Sequence, residues 1–440
     1  MLTDDALMTP RLIALAVVPL LATAAPVTAQ HWPQWRGPDG LGVSADTDIA
    51  TRWGPDDNIA WRVPLEGLGT STPGIWGDRV FLTSQVGTGP VDERGAQFPG
   101  TRRATTRRQV DGVTLVVQAF RREDGQLAWE HRLTADGHLP AVHRNHNFAT
   151  PSVVTNGDRL FAWFGTGQLV ALDLEGHKLW SRHIGQDYAP FDVLWGHGSS
   201  PQLYEDLLIL QCDHPAAAYL LALDTATGEE RWMVDRGPLL RAYSTPLVVA
   251  TDDGDQLIVN SSRWIDAYDP RTGQTRWRAG STVELATGMP VYDDGVIYST
   301  RGYSSGPYLS VETGGRGDVS ETHVRWRHAT RAPYVSSMLL YRGLLYMATE
   351  NGILTITDPD TGDPVARTRL NGVYIASPVA ADGHVYVLNE DGETVVLEAG
   401  PDARVVSRNA LGERALASPA IAHGRIYIRT DQHLFAIGPD

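Results

Sequence analysis

Short apolar stretches separated by turn-forming residues run through most of this chain. In Tyr219–Trp232 an apolar segment leads into a turn at Asp224, Thr227 and Gly228, and a second segment carrying Trp232 follows. Asp and Thr side chains bond the amides of their own turn, and glycine adopts a positive φ without a Cβ clash. The pattern therefore predicts strand, turn and strand.

The same unit recurs along the sequence. Related segments end at Trp129, Trp180 and Trp277, and each keeps a step of four residues from the turn glycine to the tryptophan. Self-similarity of this kind is the signature of a repeat architecture, so the repeats decide the fold rather than the chain length.

Each unit opens with a small residue and a proline, which precede two apolar strands. The eight anchors of this step are Pro73, Pro151, Pro201, Pro246, Pro290, Ser337, Pro378 and Pro419. Most are about 40 to 50 residues apart, the size of a four-stranded propeller blade. The 44 Gly, 27 Pro and 13 Trp of the chain also favour many turns and bulky wedges over helices. We predict an all-β protein, an eight-bladed β-propeller of four-stranded blades.

The two ends of the repeat region complement each other. The last unit stops at Gly438 after three strands, whereas the strand predicted at 58–65 carries Trp61 and precedes every repeat. Pairing the two would close the ring and remove exposed sheet edges. We predict that this N-terminal strand completes the last blade. Units six and seven lack the blade tryptophan, with Ala366 at that step in unit six.

The predicted organisation has three parts. Residues 1–29 are a signal peptide, 30–57 an ordered lead-in rich in Trp, Pro and Gly, and 58–440 the propeller. The first blade carries an insertion at 85–112, expected as a loop, and the fifth unit carries a second one at 306–322.

The signal peptide rests on an apolar run from Leu12 to Val27 and on small residues up to Ala29, before Gln30. Met8 is an alternative start, because acidic residues before it do not suit a positive n-region. The run is too short for a comfortable transmembrane helix, and no later segment reaches that length. We expect a soluble periplasmic or secreted protein after cleavage.

Charge and cysteine content narrow the partners. A formal net charge of −15 argues against nucleic acid or an anionic membrane surface. The basic stretch at 102–108 lacks interleaved aromatics, so a solvated loop is preferred to a phosphate-binding patch. Cys212 is the single cysteine, which excludes an internal disulfide. We expect a monomer whose partner is a protein or a small molecule.

The tandem repeats resemble the PQQ-like β-propeller repeat of quinoprotein alcohol dehydrogenases and of the outer-membrane assembly lipoprotein BamB. The residues that carry the resemblance are the A-L-D-x-x-T-G-x-x-x-W pattern at 222–232, the WPQWRGPDGLGVS stretch at 32–44 and the ending RIYIRTDQHLFAIG. The last two are similar to exported bacterial proteins of this type. The resemblance covers nearly all of the chain after residue 30.

The resemblance implies two possible roles, a PQQ-dependent dehydrogenase or an envelope assembly protein similar to BamB. Quinoproteins hold PQQ over a tryptophan, bind calcium through Glu, Asn and Asp, and use an Asp base, but none of these residues can be placed on this sequence. The adjacent-cysteine disulfide of many members is impossible with Cys212 alone, and the lipid-bearing cysteine of BamB is absent. We expect no cofactor, with PQQ and calcium as the alternative.

Candidate site residues lie in two sets of loops that emerge on one face of a propeller. These loops join the second to the third strand of a blade, or one blade to the next. The polar and aromatic candidates in them are His143, Arg144, Asn145, His146, Trp195, His197, Asp213, His214, Arg263, Trp264, Arg301, Tyr334 and Glu350.

Two kinds of site are open for these residues. The histidines at 143, 146, 197 and 214 could ligate a metal with Asp213, or they could be solvated loop residues. Arg144, Arg263 and Arg301 could grip an anionic or quinone-like ligand beside a tryptophan, or bond carbonyl groups between blades.

No transferable catalytic set is present in the sequence. We therefore predict an exported, non-catalytic propeller that binds a protein partner or small ligand at the loop face around the central channel. A divergent PQQ-dependent dehydrogenase is the alternative, and an envelope assembly scaffold similar to BamB is the second alternative.

Overall fold

The computed structural model describes residues 31–88, 91–96, 104–107, 112–137, 139–140, 142–191, 193, 195–238, 240–280, 285–302 and 306–439. The predicted signal peptide lies outside these ranges. The described part is almost entirely β, and its one helix is the single turn Ile184–Asp187. None of its helices has the length and apolar character needed to cross a bilayer.

Eight sheets form the ring; seven hold four strands, and the sheet of blade 4 has a fifth strand at its edge. Blade 1 contains Gly74–Trp76, Arg79–Val86, Thr114–Arg121 and Leu127–Thr134. Blade 2 contains Val154–Thr155, Arg159–Trp163, Gln168–Asp173 and Lys178–His183. Blade 3 contains Gln202–Tyr204, Leu207–Asp213, Ala218–Asp224 and Glu230–Asp235. Blade 4 contains Leu247–Val249, Gln256–Asn260, Ile265–Tyr268 and Thr275–Ala279.

The second half of the ring follows the same plan. Blade 5 contains Val291–Asp293, Val296–Thr300, Tyr308–Glu312 and Val324–His328. Blade 6 contains Leu339–Tyr341, Leu344–Ala348, Ile353–Thr357 and Pro364–Arg369. Blade 7 contains Val379–Ala381, His384–Leu388, Glu393–Glu398 and Val405–Ala410. Blade 8 contains Ala420–Ala422, Arg425–Arg429 and His433–Ile437. First strands of neighbouring blades approach one another, so they surround the central channel.

The ring closes as predicted. The strand Ile59–Pro64 pairs antiparallel with His433–Ile437, placing Trp61 opposite Ala436. Blade 8 thus takes its outermost strand from the start of the chain and its other three from the end. The closure leaves no incomplete blade in the ring.

The blade tryptophans wedge the seams between blades. Trp180 of blade 2 lies on Gly228 of blade 3, where an added Cβ would stand 2.7 Å from the indole ring. Its Nε1 donates to the carbonyl oxygen of Thr225 at 3.0 Å. The same contact pairs Trp61 with Gly125, Trp129 with Gly176, Trp232 with Gly273 and Trp326 with Gly362. The turn glycine therefore serves the preceding blade as well as its own turn.

Three seams lack this wedge. Between blades 4 and 5, Trp277 donates instead to Gln256 Oε1 at 2.8 Å. Between blades 6 and 7, where Ala366 replaces the tryptophan, the Tyr346 hydroxyl accepts the Gly400 N–H at 2.9 Å. The different packing after blade 6 was predicted from the missing tryptophan, whereas Trp277 was expected to pack like the other blade tryptophans.

The seam between blades 7 and 8 is filled by the lead-in. Ser407 occupies the tryptophan position of blade 7, opposite Val396. The ring of Trp53 lies 6.4 Å from that of Tyr386, and the Trp53 N–H donates to Asn409 Oδ1 at 3.2 Å. A residue from outside the repeats thus supplies the missing aromatic ring.

Both insertions contain ordered strands. Within 85–112, Val91–Ala96 pairs with Ala104–Arg107, and the latter pairs with Val142–His143. Within 306–322, the regular third strand of blade 5 comes first, and Gly317–Asp318 then adds a parallel edge strand to blade 4 beside Trp277. The expected loops are therefore shorter than the insertions themselves.

Hydroxyl groups at the anchors link neighbouring blades around the channel. The Thr72 N–H donates to Ser152 Oγ at 2.9 Å, and the Ser152 N–H donates to Ser200 Oγ at 3.0 Å. Equivalent links join Ser200 to Thr245, Met289 to Ser337, Ser337 to Ser377 and Ser377 to Ser418. At the seam of blades 8 and 1, Arg429 Nη1 donates to Ser71 Oγ at 3.0 Å instead. At six of the eight seams, a hydroxyl side chain at or next to the anchor thus accepts a backbone N–H of the preceding blade.

The lead-in runs across the channel from blade 1, past Leu247 and Met289 at blades 4 and 5, to blades 6 and 7. Trp32 exchanges two backbone hydrogen bonds with Ile75 of blade 1, and the Ser44 N–H donates to the Ala380 carbonyl of blade 7 at 2.8 Å. Between them, buried Arg36 donates to the Met338 carbonyl of blade 6 at 2.9 Å. The ordered lead-in is therefore an integral part of the propeller.

Candidate functional site

A cavity of about 360 Å³ occupies the channel mouth on the loop face. Every one of the eight connections between blades contributes to its wall, with Thr70, His146, Trp195, Tyr243, Leu285, Tyr334, Ile375 and Leu416 as representatives. The interblade loops converge as blade geometry leads one to expect. Of the loops joining second to third strands, only Glu350 reaches the described wall.

The lead-in separates this cavity from a second one. Trp35 lines the cavity at the mouth, whereas Pro33, Gln34, Pro38 and Asp39 line another of about 480 Å³ beside the first strands of blades 2 to 4. Because the lead-in lines both cavities, it divides the channel between them. It therefore forms the floor of the cavity at the mouth, which we call the upper cavity.

Six of the sequence-predicted residues gather at the upper cavity. They are His143, Asn145, His146, Trp195, Tyr334 and Glu350. The His143 N–H donates to the Trp195 carbonyl at 3.2 Å, and its ring nitrogen Nδ1 accepts the Asn145 N–H at 3.2 Å. Backbone bonding between two connections thus fixes this side of the wall.

Both imidazoles in the wall are neutral near pH 7. Burial, with a smaller effect from the charge of protonated His143, lowers the pKa of His146 to about 4. Burial also lowers the pKa of His143, with smaller effects from Arg144 and Arg414. These rings can donate or accept hydrogen bonds, but they add no positive charge to the cavity.

Glu350 is the one carboxylate in the described wall. Its Oε1 accepts the N–H groups of Tyr334 and, at 3.0 Å, Val335. Burial raises the pKa of the Glu350 carboxyl group, and the backbone N–H groups oppose that shift. Tyr334 and its loop are thereby held against the loop of blade 6.

Two predicted histidines lie between blades rather than at the cavity. His197 and His214 are buried beside Phe191, and their ring nitrogens are 3.4 Å apart. Burial lowers the pKa of His197, and it lowers that of His214 to about 3. The described residues contain no group of three His, Cys, Asp or Glu that could hold a metal ion.

Asp213 belongs to a buried ionic network. Arg236 Nε lies 3.1 Å from Asp213 Oδ1, and Arg236 Nη2 lies 3.2 Å from Asp266 Oδ2. Burial raises the pKa of both carboxyl groups, although Arg236 pulls in the opposite direction. The network joins blades 3 and 4 and leaves Asp213 outside the described cavity wall.

The three predicted arginines do not surround the cavity. Arg144 and Arg263 are exposed, and Arg301 is buried with its guanidinium bonded to Asn260 of blade 4. Trp264 lies under the guanidinium of Arg278, 5.5 Å from the ring centroid. The arrangement matches the interblade bonding alternative for Arg301.

One position of the repeat unit, counted back from the anchor, supplies much of the cavity wall. The residue three positions before the anchor lines the cavity in seven of the eight units, namely Thr70, Gly198, Tyr243, Thr287, Tyr334, Ile375 and Leu416. The exception is Phe148, which is buried in the blade core. This position feeds directly into the innermost strand, whereas the second-to-third loops lie farther from the axis.

Fold and site together define an eight-bladed propeller of PQQ-like repeats with a floored cavity at one mouth. The family described as outer membrane protein assembly factor BamB matches residues 43–189, 114–264, 261–365 and 350–438. The chain belongs to this family. No curated protein matches it.

Solved structures share the fold at low sequence identity. BamB from Moraxella catarrhalis is 16% identical, with a TM-score of 0.54, over 82% of this chain and 98% of that one. Quinohemoprotein alcohol dehydrogenase from Comamonas testosteroni is 13% identical, with a TM-score of 0.64, over 95% and 82%. The computationally designed Ika8 protein is 10% identical, with a TM-score of 0.57, over 87% and 100%. These likenesses show the fold alone.

Proposed function

We propose that the protein is an exported, non-catalytic binding propeller whose ligand site is the floored cavity at the loop face. The observation that carries the proposal is a cavity of about 360 Å³ with a wall built from all eight interblade connections. That volume is in the range of small-molecule sites, and its aromatic and hydroxyl lining is typical of them. A periplasmic or secreted location is part of the proposal.

The lining does not fit PQQ and calcium. PQQ carries three carboxylates, and the described wall contains Glu350 but no lysine or arginine. A calcium ion normally takes six to eight oxygen ligands, several of them carboxylates. A single carboxylate that already accepts two backbone N–H groups is a poor start for such a site, so no dehydrogenase chemistry is assigned.

A protein partner is compatible with the same face. The family name describes BamB as an assembly factor, which favours a scaffold whose loop face meets another protein. A side chain of that partner could enter the cavity as a free ligand would. A scaffold role and a binding cavity are therefore one proposal with two sources of ligand.

The test is a thermal-shift panel of neutral, anionic and cationic small molecules on three proteins. Leu416→Trp fills the cavity from its wall, and Leu179→Trp makes the same change at an exposed position of blade 2. At least one class should raise the melting temperature of the wild type and of Leu179→Trp, but not of Leu416→Trp. Circular dichroism establishes that both variants are folded, with Ile375→Trp as a second filling variant.

Catalysis is tested separately. The protein is incubated with PQQ, calcium, primary alcohols and an artificial electron acceptor. We expect no dye reduction above the protein-free rate. Robust turnover that is lost in Leu416→Trp would overturn the proposal in favour of a quinoprotein dehydrogenase.

A further inference from the structure

Four aromatic side chains from separate segments line the upper cavity. Trp35 comes from the lead-in, and Trp195, Tyr243 and Tyr334 come from three different interblade connections. Aromatic rings present a negative face, and cations bind favourably over such faces. Rings that converge from four segments on one cavity can surround a ligand on several sides.

The charge of the wall has the same sign as those ring faces. Glu350 is the single carboxylate among the described lining residues, and burial and backbone N–H groups, with no neighbouring cation, account for the shift of its pKa. The described wall contains no lysine or arginine. A partly buried carboxylate without a counterion is electrostatically costly, and a bound cation would lower that cost.

We propose that the upper cavity selects an organic cation of the alkylammonium class, and this inference rests on the proposed function. The carboxylate of Glu350 supplies the counter-charge, and the four aromatic rings supply cation–π contacts. The cation could be a free amine or quaternary ammonium, or the side chain of a lysine on a partner. The chemistry recognised is the same in both cases.

Glu350→Gln isolates the charge from the structural role of this residue. The side-chain oxygen of glutamine can still accept the N–H groups of Tyr334 and Val335, which Glu350 Oε1 accepts now. The loop should therefore keep its position while the negative charge is removed. Asp391→Asn is the matched control, because Asp391 is exposed in the corresponding loop of blade 7 and does not line the described cavity.

The experiment measures binding by isothermal titration calorimetry with three probes. Choline is compared with 3,3-dimethylbutan-1-ol, which has the same shape and no charge, and with Nα-acetyl-lysine methylamide. We expect choline or the blocked lysine to bind at least about tenfold more tightly than the neutral alcohol. Glu350→Gln should weaken cation binding by about tenfold, while Asp391→Asn leaves it unchanged.

The affinity for the cation should also decrease as the pH decreases. Glu350 binds the cation as a carboxylate, so binding is complete above its raised pKa and is lost as the pH falls through that value. The titratable groups facing it are His143, His146, Tyr243 and Tyr334; His146 gains a positive charge only near its pKa of about 4. Glu350→Gln should flatten the upper part of this profile.

The outcomes separate the two proposals. Tighter binding of choline alone assigns the site to free ammonium compounds, and tighter binding of the blocked lysine alone assigns it to a partner side chain. If neither choline nor the blocked lysine binds more tightly than the neutral alcohol, or if Glu350→Gln causes no loss, the inference is overturned and a neutral ligand site remains. Failure of every class in the thermal-shift panel would instead remove the proposed function.

Discussion

The seam between blades 2 and 3 and the seam between blades 7 and 8 solve one packing problem in different ways. In the first, Trp180 of one repeat rests on Gly228 of the next and approaches Phe161, with ring centroids 5.8 Å apart. In the second, the repeat offers Ser407, and Trp53 from the lead-in lies beside Tyr386. An aromatic ring fills both seams, but only one belongs to the repeat.

The lead-in therefore compensates for the repeat of blade 7, which lacks its tryptophan. The Ser407 hydroxyl donates to the Thr51 carbonyl, and Asn409 Nδ2 donates to the same carbonyl at 3.1 Å. These polar contacts position Trp53 at a seam that would otherwise lack a large side chain. A polar residue at the tryptophan position can therefore be a docking site rather than a defect.

The largest expected effect comes from removing one seam tryptophan at a time, Trp61 between blades 8 and 1 and Trp53 between blades 7 and 8. Trp61→Ala should lower the free energy of unfolding by about 4 kcal/mol, since it empties a buried seam and removes the bond from Nε1 to the Arg122 carbonyl. Trp53→Ala should cost about 3 kcal/mol, because no comparable indole hydrogen bond anchors it among the described residues. Urea denaturation followed by circular dichroism measures both. A negligible loss for Trp53→Ala would contradict the compensating role of the lead-in.

A second test targets the glycine under the tryptophan. Gly228→Ala should cost about 3 kcal/mol, because the new Cβ would meet the Trp180 ring at 2.7 Å and φ is +74°. Gly343→Ala is the control, with φ of +72° and no atom within 4 Å of the new Cβ. It should cost only about 1 kcal/mol for the backbone strain. Equal melting temperatures for the two variants would show that the wedge contact adds nothing.

The smallest effect concerns the seam without any tryptophan. Tyr346→Phe should cost about 1 kcal/mol, because the Gly400 N–H between blades 6 and 7 loses its acceptor. Tyr386→Phe changes the same repeat position of blade 7, where the hydroxyl has no hydrogen-bond partner among the described residues. That variant should be neutral in the same thermal melts. A loss for Tyr386→Phe as large as that for Tyr346→Phe would refute the assignment.

Sequence periodicity predicted the ring because each repeat encodes its own strands and turns. The Asp224 carboxylate accepts the N–H groups of Ala226 and Thr227, at 2.8 and 2.9 Å, as its turn chemistry required. The orphan strand with Trp61 could be matched to an incomplete last unit. The path of the lead-in could not be read in this way, because Arg36 and Trp53 find partners more than 300 residues away.

The residues that line the cavity could be predicted from the sequence only in part. Polar residues were chosen from both sets of loops, yet the wall comes mainly from the interblade connections. Tyr243, Ile375 and Leu416 were missed because apolar residues near a strand are usually assigned to the core. Conversely, His197, Asp213 and Arg301 were chosen as polar loop residues and are buried between blades. Distance from the axis, which no local pattern encodes, separates the two groups.

The pairing of Ile59–Pro64 with His433–Ile437 also constrains the order in which the protein is assembled. During synthesis the first strand emerges some 370 residues before its neighbour, so it must wait unpaired while seven sheets form. The last blade is then completed by the first and the last strands of the chain. A chain that lacked the last strand would leave two strands without their neighbour, and unpaired sheet edges of this kind favour aggregation.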